Sequence, residues 1–158
     1  FEESKTRPMG RNASGVRGVR LKDDNDEVVG MLSVNDMDSD ILVVSENGYG
    51  KRSKLDDYRI TNRGGKGVKT ISITDKTGNL VSIKNVADGD DLMIINKSGI
   101  AIRMEVNTLR VMGRATQGVK LINLKDSDSI AAVAKVVLDD EEVQDIDDIE
   151  VVDDDQIN

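Results

Sequence analysis

Apolar and polar positions alternate with a period of two along most of this chain, and short apolar runs recur between polar turns. That periodicity predicts β-strands. They fall at 15–21, 28–34, 41–45, 49–52, 68–74, 80–86, 92–96, 100–103, 118–124 and 130–137. Polar turns separate them at 22–27, 35–40, 75–79 and 88–90, and Asn47-Gly48 and Ser98-Gly99 read as hairpin turns. No helical period stands out. Along 68–74, Lys69, Ile71 and Ile73 share one face and Val68 takes the other. Apolar groups on both faces suit small sheets stacked against neighbours.

The pattern repeats. Arg63-Gly64-Gly65-Lys66-Gly67-Val68-Lys69 shares the frame Arg-x-x-x-Gly-Val-basic with the segments that start at Arg11 and Arg114. The spacings are 52 and 51 residues, and the run from Asp40 to Gly48 lies over the run from Asp91 to Gly99. A period of that size indicates propeller blades or another repeat array. About four short strands per repeat match one blade. The expected fold is all-β and propeller-like, a partial ring of about three four-stranded blades. The expected divisions are the end of a preceding repeat at 1–10, blade repeats at 11–62 and 63–113, a partial blade at 114–138 and a tail at 139–158. The first residue is Phe and the chain opens inside a repeat, as expected of a piece of a longer protein. The third copy lacks its second half, which predicts an open arc with raw strand edges, prone to pair with another copy.

The net charge of −8 hides a split. Positions 139–158 hold eleven of the 30 acids and no base, leaving 19 acids against 22 bases in the body. The tail reads as a solubilising disordered end that could compete with a polyanion for the body. The absence of cysteine and histidine excludes disulfides, thiolate metal sites and histidine acid–base chemistry. No apolar run reaches membrane-spanning length.

The bases fall in register. Lys51, Arg52, Lys54, Arg59, Arg63, Lys66 and Lys69 crowd one window around Gly64, Gly65 and Gly67. Arg11, Arg17, Arg20, Arg103, Arg110, Arg114 and Lys120 occupy comparable places in the flanking copies. Stacked blades would line them into a positive strip that attracts a duplex through its phosphates, without base readout. With only Phe1, Tyr49 and Tyr58 aromatic, no stacking track for single strands is available. Tyr49 and Tyr58 align with Ile100 and Leu109 of the next copy, which assigns them to packing rather than nucleophilic attack. The paired acids Asp23-Asp24, Asp56-Asp57 and Asp90-Asp91 read as turn residues, and Gly64-Gly65-Lys66-Gly67 lacks phosphate-loop spacing.

The Arg-Gly-Gly-Lys-Gly box at 63–67, the 51-residue period and the acidic ending together resemble the C-terminal domain of the DNA gyrase A subunit. The Arg-Pro-Met-Gly-Arg run from Arg7 and the Gly-Tyr-Gly-Lys-Arg run from Gly48 add to that likeness. So does the stretch from Val111 to Val119, while Thr61 and Asn62 depart from the family's box. The resemblance implies a β-pinwheel whose rim binds and wraps double-stranded DNA, in a non-catalytic part of an ATP-dependent type II topoisomerase. It implies a cytoplasmic, nucleoid-associated bacterial setting. The partners it implies are the gyrase B subunit, together with the rest of the gyrase A subunit. ATP and magnesium would act elsewhere in the assembly, and no cofactor is expected on this chain. The matching domain of topoisomerase IV and a propeller-like protein-interaction scaffold are the alternatives.

Overall fold

The computed structural model describes residues 1–125 and 127–136, so the acidic tail lies outside the described residues. Among the described residues, seven strands form two antiparallel sheets. β1 (Asp40–Ser45) and β2 (Tyr49–Lys54) make a hairpin that turns at Asn47-Gly48. β3 (Leu80–Val86) lies on the other side of β1, and β6 (Val119–Lys120) pairs with the outer edge of β2. The first sheet therefore runs β3-β1-β2-β6. β4 (Asp91–Asn96) and β5 (Ala101–Glu105) form the second hairpin, and β7 (Ile130–Val136) lies against β4. Single 3-10 turns cover Glu3–Lys5, Leu55–Asp57 and Val106–Thr108.

The two sheets obey one rule. Each hairpin takes its third strand from the next repeat, and the first hairpin takes a fourth from the repeat after that. Asp40 faces Val86 in the first sheet as Asp91 faces Val136 in the second, and both pairings shift register at the same place, after Val44 and after Ile95. Sheet boundaries thus do not coincide with repeat boundaries, contrary to the expectation of one blade per repeat. Local alternation cannot show this exchange, since it reports a strand but not its partner.

The rule explains the expected strands that do not form. Segment 28–34 corresponds to β3 and would pair with the hairpin of a preceding copy, which is not in this sequence. It carries no strand, and Val28 and Met31 are 62% and 90% exposed. Segments 15–21 and 68–74 correspond to β6 and would need a hairpin two copies earlier. Only an isolated bridge between Val19 and Gly65 forms there. The strand expected over 118–124 shrinks to Val119–Lys120.

β1 is buried along its whole length, as a continuous apolar run requires. One face carries Leu42 and Val44 into the main core with Val86, Leu92, Ile94, Val106, Leu109, Ile130 and Val133, which joins the two sheets. The other face sends Ile41 and Val43 to Ile71, with Tyr58 and Leu55 packed alongside. Each such side chain contributes about 1.5–3 kcal/mol when fully buried.

Candidate nucleic-acid interface

The basic turns of successive copies touch. Gly64 N–H donates to Gly18 C=O at 2.6 Å, and Arg20 N–H donates to Gly65 C=O at 2.9 Å. One repeat on, Ser72 N–H donates to Thr116 C=O at 3.1 Å. Arg20 and Ser72 occupy the same place in their copies, so one contact serves both junctions. Each turn is thereby seated on the segment that follows the previous turn, and the cations follow in sequence. Arg11, Arg17 and Arg20 are exposed, then Arg63, Lys66 and Lys69. Arg114 reaches back, its Nη1 donating to Lys69 C=O at 3.0 Å. Its Nε is buried and has no hydrogen-bond acceptor among the described residues. Lys120 stands exposed on β6 opposite Tyr49. Gly67 and Gly118, the frame glycines of the second and third turns, share a φ near +80° (78° and 81°), which L side chains rarely adopt.

Two expected members leave the strip. Lys51 is fully buried, donating from Nζ to Gly113 C=O at 2.5 Å and to Arg114 C=O. Burial pulls its ammonium below the ordinary 10.5; Asp57 opposes that shift and Arg114 adds to it. Arg52 is 8% exposed and ties three segments together. Its Nε donates to Leu109 C=O at 2.8 Å, and its Nη1 lies 2.5 Å from Asp88 and 3.7 Å from Asp40. The Arg52 hydrogen bond first, and its charge second, hold the Asp88 carboxyl below the ordinary 3.8. Neither side chain can meet a phosphate. Both sit on β2, Lys51 against the carbonyls of Gly113 and Arg114 and Arg52 beside Leu109 and Val111, an arrangement that alternation in a basic stretch does not reveal. The next copy carried the signal: the hairpin registers place Lys51 over Ile102 and Ser53 over Met104, apolar residues at those positions.

The remaining cations are partly engaged. Lys54 is exposed and pairs with Asp40 at 3.1 Å, and Arg103 Nε donates to Asp91 at 2.6 Å. Arg59 and Arg110 are exposed, Arg59 beside an apolar groove lined by Phe1, Val34, Met37, Tyr58 and Ile60. Tyr58 packs in the core and its hydroxyl lies 2.5 Å from Thr70 Oγ1.

Three lysines, Lys5, Lys76 and Lys125, were missed by sequence reasoning. Lys76 and Lys125 join the expected Lys120 around a concavity of about 260 Å³ with Tyr49 and Asp128, and Lys76 Nζ lies 5.3 Å from the Tyr49 ring centre. Lys5 and Arg63 line another small concavity. These lysines are outside the frame in sequence, and only the folded turns bring them beside it.

The sequence matches the family described as DNA gyrase C-terminal domain, beta-propeller, over residues 1–35, 39–87 and 90–136. The chain belongs to the DNA gyrase C-terminal domain family. Within that family, the DNA gyrase A subunit of Staphylococcus aureus strain MRSA252 is 50% identical over 148 residues, which cover 92% of this chain and 16% of that protein. The same protein from strain NCTC 8325 is 49% identical over 144 residues, 90% of this chain and 16% of that one. The chain thus spans about one sixth of the length of these relatives. A solved DNA gyrase A C-terminal domain superposes with a TM-score of 0.76 at 30% identity, over 85% of this chain and 45% of that one. The C-terminal domain of DNA topoisomerase IV superposes at 0.80 with 22% identity, over 87% and 42%, which shows the shared fold. The family's beta-propeller description fits the all-β sheets described above. Among the described residues no helix is long and apolar enough to cross a membrane.

Proposed function

We propose that this chain binds double-stranded DNA along the ribbon of seated basic turns, by phosphate contacts and without base readout. Arg11, Arg17, Arg20, Arg63, Lys66, Lys69, Arg114 and Lys120 form its principal strip, with Lys54, Arg59, Arg103 and Arg110 at its margins. Gly64, Gly65 and Gly67 bring backbone close to the phosphates. The carrying observation is the repeated turn-to-turn hydrogen bonding, Arg20 to Gly65 and Ser72 to Thr116, which supports reading the cations of three copies as one succession. A ribbon of cations drawn from three copies suits a bent duplex. Smooth bending of 20–30 base pairs costs on the order of 1–6 kcal/mol, which several phosphate contacts offset.

In the whole protein this reading makes the chain the wrapping part of the gyrase A subunit. It would act with the gyrase B subunit, and with the remainder of its own polypeptide, in ATP-dependent negative supercoiling in the bacterial cytoplasm. ATP and magnesium act elsewhere in that assembly. The 50% identity to a gyrase A subunit supports gyrase over topoisomerase IV. The outer edge of β5 has no strand on it among the described residues, unlike β2, and is the place where two copies would pair edge to edge. A low-salt gel shift with a duplex tests the reading. Changing Arg63 and Lys66 together to Ala should weaken binding to different duplex sequences alike. Unchanged binding, or loss for one sequence only, contradicts it.

A further inference from the structure

One strand of the first hairpin grips the turn that carries Arg114. Lys51 donates to Gly113 and Arg114 C=O, Ser53 Oγ donates to Met112 C=O at 2.7 Å, and Met112 N–H donates to Arg52 C=O at 2.8 Å. Arg52 Nε donates to Leu109 C=O just upstream. Each bond spans more than fifty residues and joins the first repeat to the junction of the second and third. The next hairpin keeps an arginine, Arg103, in the place of Arg52 but has Ile102 and Met104 in the places of Lys51 and Ser53, so the bonds of those two side chains have no counterpart there.

Lys51 has no carboxylate within ion-pair distance among the described residues, so its ammonium is held by carbonyl oxygens. A buried lysine that anchors only a carbonyl pair is an expensive way to fix a turn, since its desolvation offsets much of the bonding. An apolar residue would pack the strand more cheaply, as Ile102 does one copy on. What the ammonium adds is orientation of two successive carbonyls, which fixes the backbone at the point where the Arg114 side chain leaves it. That side chain bridges to Lys69 of the neighbouring turn.

We propose that Lys51 is a positioning residue for DNA binding: it never touches the duplex, and it sets the Arg114 turn so that the third basic turn continues the strip. This rests on the duplex-binding reading above. A double-mutant cycle tests it, with Lys51→Met, Arg114→Ala and the pair, each titrated with a duplex at several salt concentrations on folded protein. Arg114→Ala should lower the log–log salt slope by about 0.9, one phosphate contact. Lys51→Met should lower it equally, and the double variant should fall no further. A purely structural lysine would shift the unfolding midpoint and leave the slope alone. If Lys51→Met does not fold, Ser53→Ala removes one bond to the same turn, and its slope must also fall and must not add to that of Arg114→Ala. A wild-type slope in either folded variant, no effect of Arg114→Ala, or additive losses overturn the proposal. Absence of salt-dependent duplex binding by the unaltered chain would instead overturn the reading beneath it.

Discussion

Gly67→Ala and Gly118→Ala isolate the contact between the first hairpin and the third basic turn. Both residues hold the same place in the repeat and nearly the same φ, 78° and 81°. A Cβ at Gly67 meets nothing within 4 Å, whereas one at Gly118 would lie 2.5 Å from Gly50 O and 2.9 Å from Gly50 C. Gly67→Ala therefore incurs only the left-handed backbone cost, about 1–2 kcal/mol. Gly118→Ala incurs that cost plus a collision with backbone. The ladder of β2 with β6 and the carbonyls under Lys51 must shift to relieve it, which adds about 1–3 kcal/mol by analogy with overpacking. The expected total is about 2–5 kcal/mol, a large part of the 5–15 kcal/mol that holds typical domains. Urea unfolding followed by far-UV circular dichroism measures both, with unchanged m-values as the check on two-state behaviour. Equal losses in the two variants would refute the claim that β2 and the third turn are in close backbone contact.

Other consequences follow from the same geometry. Val34 and Val86 occupy one place in the repeat but are 41% and 1% exposed, so Val86→Ala should cost about 1–3 kcal/mol and Val34→Ala under about 0.5, measured by thermal or urea unfolding. The lowered Asp88 and Asp128 carboxyls contribute stability that is full above their ordinary 3.8 and is lost as pH falls through their lowered folded values. The unfolding midpoint should therefore drop in that acid window, and Asp88→Asn should flatten the drop; an unchanged pH profile in that variant would contradict the Arg52–Asp88 pairing. Tyr49→Phe and Tyr58→Phe should leave duplex binding within about twofold, since neither hydroxyl is assigned a DNA contact; a gel shift showing larger loss would remove that assignment.

Much of the fold was legible because β1 and β4 are largely buried apolar runs and β3 and β7 alternate apolar with polar or small residues, patterns that mark a strand locally. Asn47-Gly48 marked its hairpin turn for a local reason as well. What local pattern could not show was partnership. Segment 28–34 reads as a strand as strongly as 80–86, yet only the latter finds a hairpin to lie on. The basic turns were legible in outline, since Arg11, Arg63 and Arg114 head the same frame and backbone hydrogen bonds join each copy to the next. Lys51 and Arg52 were misplaced because charge in a sequence reads as exposure. Their burial depends on carbonyls more than fifty residues away. Lys76 and Lys125 went unseen for the opposite reason, since they have no frame and meet the strip only through folding around the Asn47 hairpin tip.

The central claim is that cations of successive copies act together on one duplex. Its most direct test is the salt dependence of duplex affinity for the unaltered chain and for the triple variant Arg17→Ala, Arg63→Ala, Arg114→Ala. If each arginine meets one phosphate, the log–log slope should fall by about 0.9 for each, about 2.7 in all. A slope unchanged by the triple substitution, in protein that remains folded, would contradict the account.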